Sequence, residues 1–430
     1  MESEALNLKA GKFGTTFNGQ TYQVEAIASL GNWQFTTYVD QKGRVCVARR
    51  KWSDASWQRI AFDDYTINHD DVHNVPVLGI CPTDGTIHLA FDHHNSPLHY
   101  RVSQPGAATA PEAVDWSPGL FGPITSELSD GVELDRLTYP IFVSTPDGVL
   151  QLYYRIGKSG NGDNYLAEYR PHEGWRVLGE FVTGRGVFVD SDSRSAYHNG
   201  FDYDAAGRLH TTWVWRESPN LLSNHDLQYA YSDDCGHTWR SNDGSQVGVS
   251  GQQPMDLRSQ GITVRPIAYG WGLMNQVTQT VDGSGRVHVV LWQQPPSAPT
   301  ASADLNTWRY VHYWREPTGA WHQQVLPCYG RKPSVVAHGD NLILVSTKPE
   351  NLDYHGKDPG GPLQILTASA ADNWGTWREL HRTGDTYVGE PRVDESRWRE
   401  SAVLSVYVQR APAEPGVPSA LQVLDLDIGR

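Results

Sequence analysis

The sequence predicts an all-β fold: a single seven-bladed β-propeller of four-stranded antiparallel blades over residues 1–430, its ring closed by strands from the two ends of the chain. Three observations predict it. Turn-forming clusters recur seven times between strand-like runs, and after most of these hairpins come a further strand and then a Trp. The composition is rich in strand-favouring aromatics (16 Trp, 20 Tyr, 10 Phe) and in turn-forming Gly (41) and Pro (26).

The turns are Asp40-Gln41-Lys42-Gly43, Thr83-Asp84-Gly85, Pro146-Asp147-Gly148, Asp204-Ala205-Ala206-Gly207, Asp282-Gly283-Ser284-Gly285, His338-Gly339-Asp340-Asn341 and a weaker one at Asp394-Glu395-Ser396. Each separates two runs of alternating apolar residues, the pattern of a hairpin. The strands leaving them resemble one another, as in Thr86-Ile87-His88-Leu89, Arg208-Leu209-His210-Thr211 and Arg286-Val287-His288-Val289. His210 and His288 are therefore read as packing residues. Third strands followed by a Trp end at Trp116, Trp175, Trp239, Trp321 and Trp377. The last unit stops at its third strand, residues 421–426, and a strand near Tyr22-Gln23-Val24-Glu25 is expected to supply the fourth. Residues 232–239 match the Asp-box turn SxDxGxTW of sialidase-like propellers, a mark of fold more than of chemistry.

Composition narrows the function. With 35 basic and 49 acidic residues the net charge is -14, which disfavours nucleic acid and anionic membranes as partners. An anionic ligand must then be held by a local basic cluster. Cys46, Cys81, Cys235 and Cys328 show no CxxC spacing and read as small buried residues. No window approaches 18 apolar residues, and the first residues lack the pattern of a signal peptide, so a soluble monomer is expected, secreted or periplasmic if a leader was removed.

Residues at equal distances before and after a hairpin turn face each other at its open end. Tyr139 lies eight residues before Asp147 and Arg155 eight after it, so the two should be neighbours. By the same count His73 meets His93 or His94, His198 approaches Arg216, and Asn275 approaches Gln293 and Gln294. The first unit offers no comparable pair. A single His or Tyr at a strand end is more often structural, and a single Arg usually pairs with an acid. Repetition of such residues on one rim is better explained by a binding site.

Arg155 opens the Gly-rich segment Arg155-Ile156-Gly157-Lys158-Ser159-Gly160-Asn161-Gly162-Asp163, which could let backbone amides approach a ligand. It opens no helix and has no GKS or GKT after its glycines, which argues against a phosphate-cradling loop. Arg155 and Arg216 suit a carboxylate instead. His69, His73, His93 and His94, with Asp70, Asp71 and Asp92, carry metal-ligating atoms without a sharp spacing signature. Zinc catalysis therefore ranks below acid–base chemistry; no cofactor is required, and there is room for a structural Ca2+. A hydrolase would need paired carboxylates, for which Asp92 and Asp163 are the nearest candidates.

The runs Asp71-Val72-His73-Asn74, Gly85-Thr86-Ile87-His88-Leu89-Ala90-Phe91-Asp92-His93-His94 and Tyr153-Tyr154-Arg155-Ile156-Gly157-Lys158-Ser159-Gly160-Asn161-Gly162 resemble the BNR-repeat propeller polysaccharide lyases, which include ulvan lyases and L-rhamnose-α-1,4-D-glucuronate lyases. The resemblance implies β-elimination at a glucuronate whose O4 carries rhamnose, in a glycan of gum arabic or arabinogalactan type or in ulvan. It implies Arg155, with Arg216, as the carboxylate holder and His73, His93 and Tyr139 as the acid–base positions. Asn74, His94, Asn161, His198 and His225 are further candidates for sugar contacts, and His94 competes with His93. A sialidase-like glycoside hydrolase and a non-catalytic glycan-binding propeller are the alternatives.

Overall fold

The computed structural model describes residues 3–10, 13–129, 131–352 and 358–428. The fold is all-β, with Glu395–Ser401 the one α-helix among the described residues. The strands run as successive antiparallel meanders. The first comprises Ile27–Leu30, Trp33–Val39, Arg44–Lys51 and Gln58–Thr66. Val77–Ile80, Ile87–Ala90 and Tyr100–Val102 form the next. Leu137–Ser144, Leu150–Lys158, Asn161–Arg170 and Gly174–Val182 follow, then Ser195–Tyr203, Leu209–Arg216, Asn224–Ser232 and Thr238–Arg240. Two further meanders cover residues 278–325 and 334–382, and the 16-residue strand Arg378–Val393 runs on from the latter into the last sheet.

The turn chemistry explains why the hairpins repeat. Gly43, Gly85, Gly148, Gly207 and Gly285 hold φ between 69° and 84°, which a Cβ would strain. The turn carboxylates Asp40, Asp84, Asp204 and Asp282 each accept from backbone N–H groups two or four residues on. His210 and His288 reach back to Asp204 and Asp282 at 3.2 Å, so the repeated histidines brace turns and are buried.

The turns differ in the strands they join, and two expectations are revised. The turn at residues 40–43 joins the second and third strands of its sheet, whereas those at 83–85, 146–148, 204–207, 282–285 and 338–341 join the first and second. Turn chemistry marks a hairpin without saying which one. Asp394 does open a connection between antiparallel strands, Arg378–Val393 and Val403–Arg410, but as a helix and not a tight turn: it caps Glu395–Ser401, accepting from Arg397 N, and its Oδ2 accepts from Ser29 and Gln34 of the first sheet. The strand added to the last sheet is Ser3–Ala5, paired with Ser419, Ala420 and Leu421, while residues 21–24 are turn.

Apolar clusters lie between neighbouring sheets. One joins Leu78, Ile87 and Leu89 to Phe35, Val45 and Val47. Another joins Phe142, Leu150 and Leu152 to Val77, Ala90 and Tyr100. A cluster of Ala26, Ile27, Tyr38, Ala48, Tyr407 and Leu421 joins the first sheet to the last. Trp213, Trp215, Trp239, Trp308 and Trp374 are fully buried, each an anchor whose truncation costs about 3–5 kcal/mol.

Candidate active site

The site builds on Arg155, near the end of Leu150–Lys158. Its backbone pairs with Thr138 on one side and Asn164 on the other, and only 2% of the residue is exposed. The guanidinium carbon lies 4.9 Å from the Tyr139 ring and 5.1 Å from the Tyr197 ring, and among the described residues none of its three nitrogens has a hydrogen-bond acceptor. A buried cation without an acceptor costs several kcal/mol, which an incoming anion would recover. The Gly-rich segment forms the hairpin that follows this strand, with Gly157 opposite Gly162, and a Cβ on Gly162 would sit 2.8 Å from Arg155 Cδ.

Tyr139 occupies a bulge between Thr138 and Ile141 and holds φ at 55°, a strained conformation of a kind that concentrates at functional sites. Its ring lies 6.0 Å from that of His73, 6.3 Å from that of His94 and 5.9 Å from that of Tyr197. His73 and His94 are stacked at 4.2 Å. Asp71 bridges them, with Oδ1 2.5 Å from His73 Nδ1 and Oδ2 2.5 Å from His94 Nδ1. With Asp71 ionised, each ring donates the proton on Nδ1 to the carboxylate, and neutral His73 keeps Nε2 as a lone pair. The two imidazoles hold the Asp71 carboxyl well below its usual range despite burial, while burial pushes His73 down to about 4 against the pull of Asp71.

His94 enters this group, and His93 does not. Asp92 at φ 64° breaks the strand after Ala90, and His94–Ser96 crosses to pair with Leu137 and Thr138. The His93 ring lies against His99 at 5.8 Å, is 1% exposed and has no hydrogen-bond partner on either nitrogen among the described residues. The four histidines read as metal ligands do not gather either, since His69 is exposed beside Gly43. Among the described residues, Asp71, His73 and His94 are the one trio whose ligand atoms lie within 4.8 Å of one another and could hold a metal.

His198 and Arg216 are not cross-strand partners, although His198 lines a small cavity with Tyr139 and Arg155. A bulge after His198 sets that residue opposite Trp213 and puts Arg216 opposite Ser195. His198 packs among Phe181, Phe201 and Trp213, with Nδ1 2.9 Å from Thr211 Oγ1. Arg216 lies over the Tyr197 ring at 5.5 Å and donates to Asn275 Oδ1 at 3.1 Å. Asn275 therefore serves Arg216, and it is Leu273 that bridges to Gln293. His225 is buried between Glu217 (2.9 Å) and Asp226 (3.0 Å) beneath the stacked ring of Phe188. Asn74 holds its own loop through Asn68 O, and Asn161 is exposed at the hairpin opposite Lys158. Asp92 and Asp163, the candidate hydrolase carboxylates, are occupied by Tyr65 and Asn68, and by Thr183 and Gly184.

Sequence reasoning missed four contributors. Tyr197 is 2% exposed, donates to Ser159 Oγ at 2.8 Å and is held below its usual pKa because Arg155 and Arg216 outweigh burial. Strand alternation from His198, which faces the core, was the signal that could have found it. The segment before the first sheet supplies Tyr22, stacked on His73 at 4.7 Å, and Phe13, edge-on to His73 at 4.9 Å. Lys332 is also buried at this end, with Nζ 3.1 Å from Thr21 Oγ1.

Residues 33–327 match the model of the BNR repeat-containing family. The chain belongs to that family. Among curated relatives of this BNR-repeat protein, a long-isoform ulvan lyase of Alteromonas sp. (strain LOR) is 24% identical over 398 residues, covering 83% of this chain. One of Pseudoalteromonas sp. (strain PLSV) is 23% identical over 392 residues, again covering 83% of this chain. The match spans 37% of the length of each of these relatives. Among solved structures, the polysaccharide lyase Uly1 superposes with a TM-score of 0.73 at 18% identity, covering 97% of this chain and 92% of that one. A PL25 ulvan lyase bound to -[GlcA(1-4)Rha3S]- superposes with a TM-score of 0.70 at 13% identity, covering 100% and 98%. At these identities the structural likeness shows the fold.

Proposed function

We propose that this BNR-repeat chain is a polysaccharide lyase that cleaves the rhamnose–glucuronate linkage at the C4–O4 bond of the glucuronate by β-elimination, on a closed seven-bladed propeller. The observation that carries the reading is Arg155, a buried guanidinium with no acceptor, set beside the Asp71–His73–His94 group and Tyr139. The curated ulvan lyase relatives, and a related structure that holds a glucuronate–rhamnose-sulfate oligosaccharide, support the substrate class. Apolar clusters between neighbouring sheets, with the first joined to the last, support the ring.

The proton at C5 of a uronate is weakly acidic while the neighbouring carboxylate keeps its charge. In this mechanism Arg155 binds and neutralises that carboxylate, stabilising the enolate-like charge that develops as the proton leaves. Arg216, already bonded to neutral acceptors, adds positive potential at Tyr197. His73, neutral with Nε2 open, takes the C5 proton, and Asp71 steadies the imidazolium that forms. The Tyr139 hydroxyl gives a proton to the departing O4. The C4–O4 bond breaks as the C4–C5 double bond forms, leaving a 4,5-unsaturated glucuronate and a rhamnose end.

The test is incubation with ulvan and with gum arabic side by side, following the ultraviolet absorbance of a conjugated uronate. A rise with either supports the lyase, and the better substrate identifies the glycan. New reducing ends without that absorbance would contradict it.

A further inference from the structure

Tyr22 stacks on His73, yet the turn that carries it is held from the far end of the chain. Thr21 Oγ1 accepts from Lys332 Nζ at 3.1 Å and donates to Glu390 Oε2 at 2.9 Å, and Glu390 Oε2 also accepts from Thr21 N at 2.8 Å. Lys332 and Thr21 are 4% exposed and Glu390 5%, so a buried ammonium and a buried carboxylate are linked through one hydroxyl. Glu390 N donates to Gly19 O at 2.6 Å, and Gly19 N donates to Gln23 Oε1 at 2.8 Å, closing the turn. On its other side the turn meets the His73 loop: Tyr22 Oη donates to Val72 O at 3.2 Å and Gln23 Nε2 to Pro76 O at 3.0 Å. The Tyr22 ring then lies 4.7 Å from the His73 ring at an interplanar angle of 25°.

Nothing in the local sequence demands this arrangement. A buried Lys and Glu brought together over 58 positions, with a threonine more than 300 positions from either, form a costly group to desolvate, and several kcal/mol must be recovered through its hydrogen bonds. A packed apolar trio would secure the turn at least as well. What the charged bridge adds is direction, because the Thr21 hydroxyl must donate one way and accept the other. That fixes the turn in one rotamer and Tyr22 in one pose.

We propose that Lys332 and Glu390 are positioning residues for His73, acting through Thr21 and the stacked ring of Tyr22. The proposal rests on the lyase reading only for what His73 does, and the pose of His73 is measurable without substrate. Tyr22 covers one face of His73 as His94 covers the other, so a loosened turn frees the imidazole to tilt away from the reacting carbon. A misplacement of about 1 Å at such a group costs up to about a hundred-fold in rate.

The experiment uses the full chain with Lys332→Met, Glu390→Gln and Thr21→Val, with Lys332→Arg as the conservative variant. The first readout is the ring proton resonance of His73, assigned by its loss in His73→Gln, which the stacked Tyr22 displaces upfield. The second is kcat and KM on the better of ulvan and gum arabic. All three variants are expected to lose most of the upfield displacement. They are also expected to lower kcat about ten- to a hundred-fold with KM changed less than about two-fold, and Lys332→Arg to recover part of both. If Lys332→Met does not fold, Thr21→Val, which keeps both charges, decides by the same readouts. A wild-type resonance in folded Lys332→Met and Thr21→Val would overturn the proposal, as would a raised KM with unchanged kcat. If the wild-type chain gives no unsaturated product, the lyase reading fails and the resonance alone decides the clamp.

Discussion

Asp71 and His73 are joined by a 2.5 Å contact between Oδ1 and Nδ1, and the same carboxylate takes His94 through its second oxygen. One acid thus orients two imidazoles and fixes the protonated nitrogen of each. Asp71→Asn keeps the shape but loses the charge that stabilises an imidazolium, and its amide can donate to Nδ1. The expected outcome is a fall in kcat of about a hundred-fold or more with little change in KM, read from initial rates of unsaturated uronate formation.

Arg155 is buried without a hydrogen-bond acceptor, so its removal should separate stability from function. Arg155→Met removes the desolvation cost and loses two cation–π contacts of about 0.5–1 kcal/mol each, which leaves the unliganded chain about 1–3 kcal/mol more stable. The same variant should lower kcat/KM about a hundred- to a thousand-fold. Thermal denaturation with and without free glucuronate checks the binding claim: the ligand should raise Tm for the wild type and not for Arg155→Met.

His225 predicts a pH dependence of stability. Burial, the largest influence, lowers its pKa, but Asp226 and Glu217 outweigh it and leave the group above its ordinary 6.5. A raised folded-state pKa gives stability that is fully present below pH 6.5 and lost as pH rises through the folded value. The Tm difference between wild type and His225→Gln should therefore shrink as pH rises above 6.5. A constant difference from about pH 5.5 to about 8.5 would contradict it.

Asp394 caps a helix and accepts from Ser29 and Gln34 of the first sheet, joining the two ends of the chain. Asp394→Ala loses the cap and leaves two buried donors unmet. Denaturant unfolding should show a loss of about 2–4 kcal/mol with catalytic constants near wild type, because the residue touches none of the candidate groups.

Some of this was legible in the sequence, and the limits have physical causes. Counting outward from the turn at residues 146–148 brought Tyr139 beside Arg155, although a bulge sets Tyr139 one residue from Thr138, the observed partner of Arg155. The same count failed at His198 and at Asn275, where bulges and irregular backbone shift the register that the count assumes. It left His93 and His94 open, since the left-handed Asp92 that decides between them carries no glycine to mark it. Tyr22, Thr21 and Phe13 lie in a segment without strand periodicity, and Lys332 sits far along the chain. Their role comes from packing between units, which no local pattern encodes.

The most direct test of the central claim is to run the cleavage in water enriched in heavy oxygen and weigh the products. Elimination breaks the C4–O4 bond without consuming water, so the account predicts two products whose masses sum to that of the substrate, with no label in either. A product carrying one heavy oxygen, with masses summing to substrate plus water, would show hydrolysis and contradict it.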